Sequence, residues 1–539
     1  MKQTKMLLPL VALTAIPVSQ LYAKSVKPEP KQPNVIFIMS DDHTSQAVGV
    51  YGSRLAKLNP TPNIDRIGNE GIVMENAFAT NSISTPSRAC IVSGQYSQTS
   101  GVLDLYDALP IERQNLPVEM KKMGYQTAIV GKWHLHNQPE MYDYYNVYYG
   151  QGAYFDPVLC EKGTKERVKL QNKMVAGHQY YGHESDVVMD ISLDWLKNKR
   201  EKDKPFLMNI HFKAPHDDFE YNPKYEDYLA DTFIPEPKSL WERGNHGSVA
   251  TRGHNDSMLD TIGTSISRRQ FVHFQGKVTG VDGVKGLSER DYTRLCYQQY
   301  LKMYLRCVKG VDDNVARLFE YLEKEGLLDN TIIMYTGDQG FMLGEHDYMD
   351  KRWMYEESMR MPFLVRYPPR IKAGSRSKAI VNNVDYAGTI IDMAGGDVPT
   401  YMQSDSFKEV LYNGGKEPEG WKQATYYRYW MHMTHHYNPG HFGIRTKDYK
   451  LIFFYAKDYR YDRPRRAEFD PSFIETPPAW ELYDLRKDPE EMNNVYGNPK
   501  YAEVTKSLKA QLKQMRKDLK EEDQKYPDIQ KVIDEYWDK

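Results

Sequence analysis

Cysteine is scarce: four in 539 residues, too few to hold so long a chain by disulfides, so stability must come from a packed core. Cys296 and Cys307 fall in one helical segment, where a rise of about 1.5 Å per residue sets them about 16 Å apart, beyond the ~7 Å Cα limit of a bridge. A Cys90–Cys160 bridge stays open. Long apolar runs are also missing, because nothing approaches the roughly 18–20 residues that a membrane-crossing helix needs. Net charge is nearly absent: 71 Lys and Arg against 73 Asp and Glu leave -2. No global basic field draws nucleic acid, and no acidic excess marks a solvating tail. There is neither an internal repeat nor an extended low-complexity tract. What is present, 40% hydrophobic and 12% aromatic residues, suits a large globular enzyme.

The N-terminus carries Lys2 and Lys5, an apolar stretch from Met6 to Val18, and Ala23 before Lys24. This pattern predicts a secretory signal peptide over 1–23 and an exported protein, periplasmic in a bacterium or secreted. Residues 24–32, rich in Lys and Pro, read as a linker. Continuous apolar runs at Asn34–Ser40, Tyr125–Val130, Pro205–Phe212, Thr331–Thr336 and Pro362–Tyr367 predict strands buried on both faces. Helical spacing between them, longest over 289–325, predicts an α/β fold with a large, mostly parallel central sheet and helices on both faces. Residues 33–395 form that domain. After it come aromatic segments at Thr425–Trp430 and Tyr449–Tyr455 and a charged helix at Pro499–Lys520, read as a smaller α+β subdomain over 396–539. Residues 213–290 read as loops above the sheet.

Strand ends carry the chemistry. The first predicted strand runs into Asp41-Asp42, that at Thr331 into Asp338-Gln339, and that at Pro205 into Lys213 and His216. In open parallel sheets ligands bind beyond the carboxyl ends of strands. Each carboxylate alone reads as a cap or surface residue, but three converging there repel one another unless a cation joins them. Asp41, Asp42, Asp338 and the Gln339 amide oxygen are hard donors, which select Ca²⁺ or Mg²⁺ over Zn²⁺, with charge count favouring Ca²⁺. Ser84 stands near Pro86 at a predicted helix start, where free N–H groups favour an anion. A further strand delivers Lys132 and His134 together.

The strings Ser84-Thr85-Pro86-Ser87-Arg88-Ala89-Cys90-Ile91-Val92-Ser93-Gly94 and Gly124-Tyr125-Gln126-Thr127-Ala128-Ile129-Val130-Gly131-Lys132-Trp133-His134 resemble the two signatures of the sulfatase family, on the alkaline-phosphatase-like architecture. The resemblance continues through Lys213–His216, Tyr335–Gly340, Asp350–Glu357 and Trp480–Leu485, and so covers most of the chain after the signal. It implies that Ser84 is the serine-type precursor of formylglycine, made by a maturation enzyme, and that its hydrate is the nucleophile, held by Arg88 and by a cation on Asp41, Asp42, Ser84, Asp338 and Gln339. It implies that Lys132 and Lys351 bind sulfate, Arg352 touches substrate, His216 protonates the departing alcohol and His134 takes the proton that regenerates the aldehyde.

Gly150–Pro157 and Asp347–Tyr367 look like the subgroup acting on 6-O-sulfated N-acetylglucosamine in heparan-type or mucin-type glycans, so a sulfated carbohydrate is the expected partner. His435, His436, His441 and Arg445 sit where the C-terminal subdomain can close over the site as a substrate wall. Two other readings stand beside this one. The first is a formylglycine-using phosphoester or phosphonate hydrolase; against its zinc-dependent relatives, Gln339 occupies the place where a two-zinc site wants histidine. The second is a glycan-binding protein without catalysis, should Ser84 stay unmodified.

Overall fold

A strand covered on both faces needs apolar side chains at nearly every position, and Asn34–Ser40 (NVIFIMS) is buried throughout. In the computed structural model it lies between Thr331–Gly337 and Phe206–Phe212, parallel to both, with Ile38 opposite Tyr335 and Ile210. Gln126–Gly131 and Tyr144–Tyr148 extend the parallel sheet on the far side of Phe206–Phe212. The margins turn antiparallel. Phe363–Arg366 and then Ile72–Phe78 close one side, and Val158–Glu161 and His178–Gln179 the other. Ser375–Asn382 joins Ile72–Phe78 in parallel. The expected mostly parallel sheet is therefore a parallel centre with antiparallel edges, a mixed sheet.

Successive side chains of a strand point to opposite faces, and the central strand feeds two cores accordingly. Ile36 and Ile38 pack with Leu301, Leu305 and Val308 of the helix Glu289–Lys324, whereas Val35, Phe37 and Met39 pack with Met120 and Ile390 on the other face. The long helix is capped by Ser288, whose Oγ accepts the Asp291 N–H at 3.1 Å. A second, antiparallel sheet follows in the order Ala424–Tyr429, His441–Thr446, Tyr449–Phe454, Ala479–Asp484, covered by the helix Ala502–Asp518 through Leu508 and Leu512. Tyr427 ties this sheet to the first, accepting the Ser82 N–H at 3.3 Å and donating to the Arg352 carbonyl at 3.0 Å.

The structure describes residues 32–253, 265–267, 286–434, 436–460 and 476–539. The expected signal peptide, all of the expected linker but Gln32, and His435 lie outside the described residues. Residues 32–539 form one compact unit. Within 213–253 the regular structure is limited to the short turns Pro223–Tyr225 and Lys238–Leu240. All four cysteines are free and buried, so the Cys90–Cys160 bridge is not formed. Among the described residues no helix is long and apolar enough to cross a membrane.

Candidate active site

Parallel pairing brings the carboxyl ends of the central strands to one edge. Asp41 and Asp42 follow Asn34–Ser40, Asp338 and Gln339 follow Thr331–Gly337, and Lys132 follows Gln126–Gly131; all five are fully buried. The helix Ser84–Ser93 begins at Ser84 itself, with Ile83 at the cap position, so the helix starts two residues earlier than Pro86 suggests. Ser84 Oγ donates to Asp41 Oδ1 at 3.0 Å.

Arg88 projects one turn on, where Nε meets Asp338 Oδ2 at 3.0 Å and Nη1 donates to the Lys132 carbonyl at 2.7 Å. Lys132 Nζ pairs with Asp41 and Gln151, and Lys351 Nζ with Asp42 Oδ2 at 2.5 Å. Asp338 Oδ1 accepts the N–H groups of Asp42 and Gln339, each at 3.1 Å. Asp42, His134, Asp350 and Arg352 all have positive φ, at 63, 56, 73 and 85°. That conformation costs an L-residue roughly 1–2 kcal/mol, and its concentration here marks a site held by its surroundings.

The electrostatics follow from burial. Asp42 is pushed up to about 7 by desolvation, against the pull of Lys351. Burial also favours protonation of Asp338, but Arg88, Lys132 and Lys351 hold it below the usual carboxylate range. Burial pulls His216 down to about 3 and, with Lys132 and Arg88, takes His134 well below the ordinary histidine value. His134 Nδ1 is buried without a hydrogen-bond partner, so the neutral ring has a lone pair or a proton to exchange.

One ligand atom each from Asp41, Asp42 and His216 lie within 4.8 Å of one another. Gln339 Nε2 donates to Asp42, which leaves its Oε1 buried with nothing to accept. Clustered hard oxygens plus an orphaned amide oxygen suit a hard divalent cation. His216, expected only as an acid, stands at the same cluster, its Nε2 3.8 Å from Asp42 Oδ2.

The predicted sugar wall is partly overturned. His441 is fully buried; its ring packs near Trp353 and Tyr427, its Nδ1 faces the Pro439 carbonyl at 2.8 Å, and its Nε2 accepts the Met354 N–H at 3.1 Å. Arg445 is also spent inside, bidentate on Glu356 at 3.1 Å to each oxygen and lying over Phe78. His436 and Arg352 do converge, on Asp350, at 3.3 and 2.9 Å.

Several working residues escaped the sequence reading. Asp217 accepts from His216 Nδ1. Glu184, at the first position of the helix Glu184–Asp194, takes the N–H groups of Lys213 and Ala214 at 3.1 and 2.9 Å. The Gly150–Pro157 string reaches the cluster directly: Gln151 meets Lys132, and Tyr154 OH donates to the His216 carbonyl.

A mixed α/β sheet whose carboxyl edge gathers three carboxylates, three cations and a helix-borne Ser84 defines a hydrolase of anionic esters. The chain belongs to the sulfatase family: the Sulfatase model matches residues 33–396, and that of the N-sulphoglucosamine sulphohydrolase C-terminal region matches 344–467 and 470–518. It is a sulfuric ester hydrolase. The chain is 39% identical to the N-acetylglucosamine-6-O-sulfatase of Bacteroides thetaiotaomicron, over 98% of this chain and 93% of that one. It is 28% identical to human N-acetylglucosamine-6-sulfatase over 71% of this chain and 64% of that one. A protein solved in complex with its substrate D-glucosamine-2-N,6-O-disulfate superposes at TM-score 0.76 and 37% identity, covering 92% of this chain and 99% of the other.

Proposed function

We propose that this sulfatase removes the 6-O-sulfate of N-acetylglucosamine units in heparan-type or mucin-type glycans, after a maturation enzyme converts Ser84 to formylglycine. The observation that carries the substrate is the 39% identity to an N-acetylglucosamine-6-O-sulfatase along nearly the whole chain. Ser84 would, once converted to formylglycine, provide the attacking oxygen as its hydrate, and Asp41, Asp42, Ser84, Asp338 and Gln339 would hold a cation, Ca²⁺ ahead of Mg²⁺, that would neutralise charge there.

The chain's own residues do the rest. Arg88 and Lys132 flank Ser84 through Asp41 and Asp338, and with Lys351 they oppose charge gathering on sulfate oxygens. His216, once its ring has taken up a second proton beside Asp217, passes that proton to the departing sugar oxygen, which leaves as the hydroxyl; His134 removes one when sulfate leaves. Asp350, Arg352 and His436 form the polar cluster beside Lys351 that meets the sugar. The signal-like N-terminus supports export.

The test is sulfate release from 3-O-, 4-O-, 6-O- and N-sulfated glucosamines, together with peptide mass spectrometry of position 84. We expect 6-O preference and a peptide about two mass units below the serine form, since the aldehyde has two hydrogens fewer. Preference for another position overturns the substrate, and persistent serine in active enzyme overturns the nucleophile.

A further inference from the structure

Lys213 is a cation for which the chemistry above has no task. It comes one residue after Phe206–Phe212, its backbone N–H is fixed by Glu184, and it is only 6% exposed. The other cations of the site are committed to carboxylates: Arg88 to Asp338, Lys132 to Asp41, Lys351 to Asp42. Among the described residues no carboxylate forms an ion pair with Lys213. Its ammonium lies 4.9 Å from the centre of the Tyr154 ring, and Tyr154 is in turn locked to the His216 carbonyl. Burying an ammonium against one aromatic face forfeits most of its hydration. The arrangement makes chemical sense where an anion arrives to complete it.

The place of that anion is set by the neighbours. Lys213 continues the strand that pairs with Gln126–Gly131, the Lys132 N–H donates to the His211 carbonyl at 2.8 Å, and the His216 N–H returns to the Lys213 carbonyl at 3.0 Å. Lys213 therefore stands on the His216 side of the pocket that Lys132 serves. A sulfate ester carries three peripheral oxygens, each able to accept more than one hydrogen bond. Lys132 and Lys351 must share their protons between carboxylates and such oxygens, whereas Lys213 has no carboxylate to leave.

We propose that Lys213 is a further substrate-binding residue of the active site, its ammonium donating to an oxygen of the sulfate group undergoing cleavage. The proposal rests on the sulfatase reading for the identity of the anion. In this arrangement Tyr154 is the platform that keeps the lysine stem extended, so Gly150–Pro157 acts on sulfate binding through Lys213 and Gln151 alike.

The experiment compares wild type with Lys213→Met, which keeps the stem over Tyr154 and removes the charge. Inorganic sulfate is titrated calorimetrically into each, and kcat and KM are measured with N-acetylglucosamine-6-sulfate and with glucosamine-2-N,6-O-disulfate. We expect the sulfate Kd to rise about 10-fold or more and kcat/KM to fall at least as much on both sugars. The thermal midpoint should stay level or rise, since an unpaired buried charge has gone. Lys213→Arg, which keeps the charge, should retain sulfate binding better than the methionine variant and serves as the comparison should that variant fail to fold. Sulfate affinity within twofold of wild type in Lys213→Met, or a loss confined to the disulfated sugar, overturns the proposal. A wild type that binds sulfate through Lys213 yet hydrolyses no sugar sulfate sinks the functional reading and leaves this one standing.

Discussion

Asp217 depends on one proton. His216 Nδ1 faces both the Asp217 carboxylate and, at 2.6 Å, the Asp217 carbonyl, and two acceptors fix a hydrogen on that nitrogen. Nε2 thereby faces Asp42 and the pocket; it has a proton to give only in the doubly protonated ring, which the Asp217 carboxylate favours against burial. Asp217→Asn should lower kcat on sugar sulfates by roughly 10–100-fold, within the range that a general acid supplies, and lower it less on nitrophenyl sulfate, whose leaving group needs no proton. Steady-state kinetics on both substrates check this; equal losses would show that Asp217 serves the fold alone. Asp41, Asp42 and Asp338 were legible in the sequence as a set, because carboxylates that close several apolar strands at one edge repel unless a cation joins them, and Ser84 and Lys132 through the strings that resemble the family's signatures, although each residue alone reads as a cap or surface group. Asp217, Glu184 and Gln151 were not. A lone acid or amide in a loop has the same appearance whether it faces water or clamps a buried histidine, and only the chain's return from another strand decides between them. His441 and Arg445 mislead for the converse reason: polar residues near an expected cleft look like ligands until their partners, the Met354 N–H and Glu356, are seen.

The strand His441–Thr446 shows what an element asks of such a residue. His441 is pulled down to about 3 by burial, and its Nε2 must stay unprotonated to accept from Met354. The folded value lies below the unfolded one, near 6.5, so the unfolded chain takes up a proton that the folded chain refuses. Stability from this residue is complete above pH ~6.5 and is lost as pH falls toward 3. His43, His211 and His246, drawn down by burial to about 4, 3 and 3, act in the same direction. The unfolding midpoint should therefore drop steadily between pH 7 and 5. His441→Phe should destabilise by about 1–3 kcal/mol at pH 7.5, because it strands the Met354 N–H, while flattening the pH dependence; thermal scans over that range measure both. An unchanged slope would place the pH response elsewhere. The same scale explains which elements the sequence revealed. Asn34–Ser40, Phe206–Phe212 and Thr331–Gly337 are central, so their apolar runs are continuous. Ile72–Phe78 carries half-buried Glu75 and Asn76, and Ser375–Asn382 opens with alternating exposure. Strands toward the margin keep polar side chains in the solvent, which broke the run that would have announced them.

Across the whole molecule, a net charge of -2 hides a segregation in which opposite charges meet at one sheet edge and are buried there. Two consequences can be measured. If a divalent cation belongs among Asp41, Asp42, Asp338 and Gln339, Ca²⁺ at 100 times its Kd should stabilise the fold by about 2.7 kcal/mol, read as a rise in the unfolding midpoint over chelated protein. Asp338→Asn should abolish that rise, and an unchanged response would move the cation elsewhere. The second consequence concerns salt. A protein that holds a polyanion along a basic groove releases many counterions and loses about 10³–10⁵ in affinity between 50 and 200 mM salt when it makes six to ten such contacts. Here the cations gathered at the sheet edge, Arg88, Lys132 and Lys351, are few and buried, where mobile ions within a Debye length of ~10 Å screen them less than exposed charges. Over the same salt range kcat/KM should change by less than about threefold on a 6-sulfated monosaccharide. Comparison with a sulfated oligosaccharide then separates pocket from surface: parallel, shallow curves mean that one sulfate in one pocket carries recognition, and a steep loss on the oligosaccharide alone would mean that the neutral whole conceals a second, basic surface outside the pocket.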